Sequence, residues 1–165
     1  MNLLTNLFST KPKRKTVRYA VVGLGNFAQL AILPAFANAT DKAELAALVT
    51  GDDEKSKKLS RKYKVPSYDY EQYEECLKTE KIDAVYIALP NSEHRKFTEA
   101  AARVGVHVLC EKPLALTRED VEEIVKAADA SGCKFMVGQI CRFTPAFEKA
   151  KEIIDSGAIG ELYFV

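Results

Sequence analysis

"VRYAVVGLGNFA", residues 17–28, decides the fold. A β-branched apolar run, Val17 to Val22, meets two glycines and then the small Ala28, giving the pattern GxGxxA. At a strand-to-helix junction each of these positions has a steric task. Gly23 makes the tight turn, Gly25 lets backbone approach a diphosphate, and Ala28 lets the helix close on the strand. Leu24, Asn26 and Phe27 carry the intervening amides into the first turn of the helix, where free N–H groups and the helix dipole favour negative charge. Gly23, Leu24, Gly25, Asn26, Phe27 and Ala28 are therefore candidate cofactor-binding positions.

Further strand-like runs follow at Leu45–Val49, Ile82–Leu89, Val106–Cys110 and Lys134–Val137. Helical stretches separate them. "DDEKSKKLSRKY" reads as an exposed helix, and "YDYEQYEECLKT" has its apolar residues at helical spacing. "SEHRKFTEAAARVG" stops at Gly105, while "TREDVEEIVKAADASG" opens with a Thr117-x-x-Asp120 variant of the capping box and closes at Gly132. Strands alternating with helices predict an α/β protein, a Rossmann doubly wound parallel sheet. The strands are almost wholly apolar, as burial on both faces requires. Pro34 conflicts with its own helix, "NFAQLAILPAFANA", so a kink or restart is predicted there.

Composition sets limits on function. At 165 residues, 47% hydrophobic and 28% charged, the chain has the balance of a globular domain and not of a disordered one. A net charge of +1 gives no overall drive toward nucleic acid or membrane. Five bases and no acid lie in Met1–Arg18 (Lys11, Lys13, Arg14, Lys15, Arg18), which predicts a basic, mobile arm over residues 1–16. Without aromatic residues interleaved among those bases, no nucleic-acid partner is expected. No apolar stretch approaches the length of a membrane span, and no secretory signal is apparent. Cys76, Cys110, Cys133 and Cys141 form no CxxC pair. They read as small apolar residues in a reducing compartment, the cytoplasm, and no metal site is expected.

Three places carry candidate chemistry beyond the glycines. In an open parallel sheet, ligands sit beyond the carboxyl ends of the strands. The second strand ends at "LVTGDDEKSKK", where an acid commonly reads the adenosine ribose. Here Thr50 occupies that end with Asp52, Asp53 and Lys55 following. A hydroxyl with a lysine suits a 2′-phosphate, so Thr50 and Lys55 favour NADP over NAD as the cofactor. "ALPNSEH" follows the next long strand. Leu89 and Pro90 lie at the strand's end as candidate cofactor contacts, His94 is on the loop, and Asn91 is either a ligand contact or a helix cap. His107, inside a strand, reads as a packed core histidine.

"LCEKPLAL", residues 109–116, places Glu111 and Lys112 at the mouth of a buried strand. A lysine shielded from water beside a cationic nicotinamide has its charged form disfavoured, which suits proton transfer. Lys112 is therefore the candidate catalytic residue. Glu111 can accept hydrogen bonds from ribose hydroxyls, and Pro113 can enter through a cis peptide bond.

After Gly138 the pattern changes. "RFTPAFEKAKEIIDSG" predicts a helix with Thr144 as N-cap, Pro145 in the first turn and Gly157 as the stop; "GELYFV" then predicts a strand. The expected organisation is an arm over 1–16, a dinucleotide-binding domain over 17–138, and over 139–165 the start of a second domain.

Taken in order, GxGxxA, "PNSEH", "GVHVLCEKPLAL" and "GQICRFTPAFEKAKEIIDSGAIGEL" make the sequence resemble the glucose-fructose oxidoreductase, inositol dehydrogenase and MocA family. The resemblance implies an NAD(P)-dependent oxidoreductase passing a hydride between nicotinamide and a sugar, polyol or related carbinol. It implies that Lys112 of the EKP motif assists proton transfer and that Glu111 binds cofactor ribose. Asn91 and His94 match positions lining the nicotinamide end, and Arg142 matches an arginine opening the second domain near cofactor and substrate. "TGDDEK" is similar to the serine-glycine-x-x-x-lysine stretch of members that hold NADP. Cys141 stands where a tyrosine usually precedes that arginine. Members also carry a second α/β domain that supplies an aspartate-x-x-x-histidine pair and the homo-oligomer interface, so a chain that stops at its start is expected to bind cofactor with little turnover. The alternative is a dinucleotide sensor without catalysis.

Overall fold

A computed structural model describes residues 16–163. Six parallel strands form one sheet: β1 (Val17–Val22), β2 (Ala43–Val49), β3 (Ser67–Tyr68), β4 (Ala84–Ile87), β5 (His107–Cys110) and β6 (Phe135–Val137). Their order across the sheet is β3-β2-β1-β4-β5-β6. The doubly wound sheet expected from the sequence is present. Its two-residue β3, Ser67–Tyr68, is too short to leave a periodic signal, and only its pairing with β2 at Leu48 and Val49 reveals it.

Alternate residues on each strand feed two cores, because successive strand side chains point to opposite faces. Val22, Val49, Val85, Ile87 and Val108 pack against α3 (Tyr73–Thr79) and α4 (Asn91–Arg103), with the Phe97 ring between Tyr70 and Tyr73. Val21, Leu48 and Tyr86 point the other way, toward Ala28, Leu33 and Leu59. Each large apolar side chain fully buried in this way contributes about 1.5–3 kcal/mol. α5 (Arg118–Ser131) lies along α4, with Thr117 accepting from the Asp120 amide at 3.1 Å and Gly132 ending it at φ 67°. α2 (Asp53–Tyr63) buries only Leu59, as an exposed helix should.

At Pro34, where a kink or restart was expected, the backbone stays helical on both sides and the hydrogen-bond ladder changes instead. A π-helical stretch, Ala28–Ile32, runs into α1 (Leu33–Ala35), whose first turn holds the proline. A residue without an N–H cannot continue the hydrogen-bond ladder but is tolerated at a helix start.

Several expectations need correction. Residues 1–15 of the basic arm lie outside the described residues, but Arg18 belongs to β1 and is not part of a solvated arm. Its Nε and one Nη donate to the Glu80 carbonyl at 3.3 and 3.1 Å, and its other Nη pairs with Glu44. His107 is half-buried at the start of β5, its Nδ1 accepting the Lys134 amide at 3.1 Å, and is not a core residue. Thr144 precedes α6 (Pro145–Asp155) without capping it by its side chain: the hydroxyl donates to the Cys141 carbonyl at 2.9 Å. Glu161 to Tyr163 form no strand, and Phe164 and Val165 lie outside the described residues. α6 carries exposed Phe147, Ile153 and Ile154.

The cysteines divide by position. Cys76 and Cys110 are fully buried, and burial, aided by the nearby Glu80 and Glu111 carboxylates respectively, pushes both thiols up to about 12. Cys141 is exposed, so the reading as a small apolar residue gains no packing support there. Because thiolate is the reactive form, iodoacetamide at pH of about 8 is expected to modify Cys141 in the native protein. Cys76 and Cys110 should react only after unfolding. Peptide mass mapping checks this, and early alkylation of Cys76 would contradict the packing described.

Candidate functional site

The carboxyl ends of the strands are level. Val22 pairs with Ile87 and Ile87 with Cys110, so the residues that follow leave the sheet side by side. The Gly23 amide donates to the Val49 carbonyl at 2.9 Å, Ala88 to Val22 at 2.8 Å, Glu111 to Ile87 at 2.9 Å and Gly138 to Cys110 at 2.7 Å. β1 lies between β2 and β4, so the chain reverses its direction across the sheet here and opens a crevice. Gly23 and Glu111 are two strand spacings apart, about 10 Å. The glycine turn and Lys112 therefore share one edge of the sheet.

Gly23 has φ 88°, and a Cβ there would lie 2.6 Å from the Ala88 carbonyl oxygen, so only glycine permits this turn. Gly25 is different: a Cβ would meet nothing within 4 Å, and the space above it is an open cradle in front of the first helical amides. The Gln29 amide donates to the Gly25 carbonyl at 3.1 Å, and its side chain donates to the Leu24 carbonyl at 2.8 Å, holding the loop from below. Leu24 and Ala28 are buried in the core, so Leu24 offers the crevice only backbone. Asn26 and Phe27 are exposed at the helix opening.

A cleft of about 300 Å³ begins at these glycines and runs to the end of β2, where Thr50, Asp52, Lys55 and Tyr70 line it. Ala88, Leu89 and Pro90 form its opposite wall. The Thr50 oxygen accepts the Asp52 amide at 3.3 Å, which leaves its hydroxyl hydrogen free to donate. Asp52 caps α2 through the Lys55 amide at 3.0 Å and pairs with the Lys55 ammonium at 2.8 Å. That hydrogen bond holds the Asp52 carboxyl below its ordinary value and the Lys55 ammonium above its own. Tyr70 had no signal in the sequence. Its ring lies 3.1 Å from where a Gly51 Cβ would stand, so the glycine leaves room for it in the cleft lining.

Asn91 opens α4, but Pro90 occupies the N-cap position, so the asparagine side chain is not used as the cap. His94 is corrected. It is fully buried within α4, its Nδ1 3.0 Å from the Leu114 carbonyl and its Nε2 2.9 Å from the Leu89 carbonyl. It ties the Leu89 wall to the segment after Lys112 from behind and does not line the crevice.

Lys112 is exposed at the mouth of β5, with no ion-pair partner among the described residues, and the Lys112–Pro113 peptide is cis. Glu111 is buried. Its carboxylate accepts from the Tyr86 hydroxyl through one oxygen and from the Lys112 amide at 3.2 Å through the other. Arg142 is not brought to this crevice. It lies on an exposed 3-10 turn, Ile140–Phe143, and faces a broad hollow of about 1270 Å³ between the exit of β6 and α6. That hollow is larger than the glycine cleft but lacks its glycine turn and first-helix amides, and acids (Glu148, Glu152, Asp155) line it beside Lys151. Among the described residues no helix is long and apolar enough to cross a membrane.

A glycine turn at the reversal point, an open cradle at a helix N-terminus and a hydroxyl-lysine pair at the end of β2 define a dinucleotide-binding Rossmann domain. The chain belongs to the GFO/IDH/MocA oxidoreductase family, NAD-binding Rossmann fold, whose pattern it matches over residues 17–139. It is 34% identical over 151 residues to the D-xylose 1-dehydrogenase [NADP(+)] of Haloarcula marismortui, covering 90% of this chain and 42% of that protein. The crystal structure of the aldose-aldose oxidoreductase from Caulobacter crescentus, complexed with glycerol, superposes with a TM-score of 0.84 at 40% identity. It covers 88% of this chain and 44% of that one. The scyllo-inositol dehydrogenase of Lactobacillus casei, with bound NAD(H) and scyllo-inositol, gives 0.81 at 26% identity, over 89% and 43%. The chain thus spans less than half the length of these relatives.

Proposed function

We propose that this chain is the cofactor-binding part of an NAD(P)-dependent oxidoreductase acting on a sugar, polyol or related carbinol. The observation that carries the reading is the shared edge: Gly23, Thr50 and Lys112 follow the carboxyl ends of β1, β2 and β5 in one parallel sheet. The residues present fit a dinucleotide. The cradle above Gly25 and the helix amides suit its diphosphate, and the cleft toward Thr50 suits its adenosine ribose. On this reading the nicotinamide end lies toward Leu89, Pro90, Asn91, Glu111 and Lys112. The relatives named for xylose and inositol support the substrate class.

The bound nicotinamide supplies the hydride acceptor or donor. Lys112 is exposed in this chain; once cofactor and substrate cover it, its amine in the neutral form would take the hydroxyl proton as the carbinol is oxidised, and its ammonium would return one to the oxygen in the reverse direction. Glu111 holds ribose hydroxyls. Residues 139–165 begin a second, substrate-binding domain, a reading supported by the exposed apolar residues of α6. The free thiols at all four cysteines fit a reducing compartment such as the cytoplasm.

Thr50 and Lys55 favour NADP. The Lys55 ammonium is held at the ribose end by Asp52, within the cleft a 2′-phosphate would enter. Calorimetric titration with NADPH and NADH tests both parts of the reading. Micromolar binding is expected, tighter for NADPH, and Lys55→Ala should weaken NADPH about tenfold while leaving NADH within twofold. Absence of binding for both dinucleotides removes the function; equal losses for both in the variant remove the selectivity.

A further inference from the structure

Tyr86 is the one polar side chain in the otherwise apolar strand "AVYI", and its ring is buried at 6% exposure. A buried phenol needs a partner for its hydroxyl. Tyr86 finds it in Glu111, on the neighbouring strand's exit, and burial first, then this bond, raises its pKa far above the ordinary range, so it remains a donor. Glu111 is itself 7% exposed. A carboxylate so placed is costly to bury unless hydrogen bonds replace its water. Its donors among the described residues are the Tyr86 hydroxyl and the amide of Lys112. The space it occupies depends on a third residue: a Cβ on Gly138 would stand 3.1 Å from Glu111 Oε1, the oxygen bonded to Tyr86, and 3.4 Å from the Cys110 carbonyl. β4, β5 and the exit of β6 thus each contribute one group that sets the position of a single carboxylate.

We propose that Tyr86 is a positioning residue for the nicotinamide half of the cofactor, anchoring Glu111 Oε1 in the gap left by Gly138 so that Oε2 can meet a ribose hydroxyl. The proposal rests on the dinucleotide reading above and extends it to a strand residue that lies beneath the crevice. Tyr86 acts through Glu111. Its removal should therefore weaken the nicotinamide half of the ligand and spare the adenosine half.

The test titrates wild type, Tyr86→Phe, Glu111→Gln and the double variant with the dinucleotide that wild type binds, NADPH or NADH. Each is also titrated with the matching fragment that lacks the nicotinamide ribose, 2′,5′-ADP or ADP. Tyr86→Phe keeps the ring and is expected to weaken the dinucleotide about tenfold while leaving the fragment within twofold. The double variant should bind no more weakly than Glu111→Gln alone, because the phenol has no other route to the ligand. Gly138→Ala displaces the same carboxylate from the other side, so it should show the same split and keeps the proposal testable if Tyr86→Phe does not fold. Unchanged dinucleotide affinity in Tyr86→Phe or in Glu111→Gln overturns the proposal, as does an equal loss of fragment binding or additive losses in the double variant. A wild type that binds neither dinucleotide instead removes the dinucleotide reading itself, and this proposal with it.

Discussion

Replacing Gly23 by alanine is expected to lower the melting temperature by roughly 4–20 °C and to abolish dinucleotide binding. Two costs add at this position. A Cβ at φ 88° is strained by about 1–2 kcal/mol. It would also stand 2.6 Å from the Ala88 carbonyl oxygen and 2.9 Å from the Ala88 carbonyl carbon, backbone atoms that move only if β4 moves. Overpacking of this kind costs about 1–3 kcal/mol. The same shift would displace the wall formed by Ala88, Leu89 and Pro90. Gly25→Ala is the informative contrast. Its added methyl meets no protein atom within 4 Å, so stability should stay within about 0.5 kcal/mol while affinity falls, because the methyl enters the space assigned to the diphosphate. Thermal unfolding followed by circular dichroism, paired with titration, separates the two effects. Equal melting temperatures for Gly23→Ala and wild type would contradict the turn described.

Lys112→Ala is expected to lower kcat by roughly 10²–10⁴ with the cofactor Kd within about threefold. The measurement is made on the chain joined to the proposed substrate-binding half, since this chain covers only 42–44% of the relatives it matches. The separation follows from position. Lys112 is exposed at the mouth of β5, beyond the cleft that runs between the glycine turn and Thr50. Loss of its ammonium removes the proton carrier and leaves the adenosine and diphosphate contacts intact. Steady-state kinetics beside titration would show the split. Unchanged turnover would remove Lys112 from the chemistry and favour a dinucleotide sensor.

The fold was legible because its signals are local and repeated: a glycine pattern after one apolar run, then strands and helices in alternation. The change of ladder at Pro34 was legible for the same reason, since a missing N–H acts wherever it stands. What escaped depends on contacts between distant residues. β3 has only two residues and exists through its partner. Arg18 read as part of a basic tail because Glu44 and the Glu80 carbonyl, its partners, lie far along the chain. His94 sat in a loop motif with site chemistry, yet both of its ring nitrogens are turned to carbonyls that the fold brings behind the crevice. Tyr70 and Tyr86 looked like ordinary apolar spacing. The lone oxygen in "AVYI" was the available hint for Tyr86, and it becomes meaningful once Glu111 is beside it.

A crystal structure of the chain with NADPH tests the central claim most directly. The diphosphate is expected against the amides of Gly25 and Asn26, the 2′-phosphate between Thr50 and Lys55, and the nicotinamide within hydrogen-bond or single-water reach of Lys112. A dinucleotide seated in the hollow beside α6, or one lying in the crevice with its adenosine end at Lys112, would contradict it.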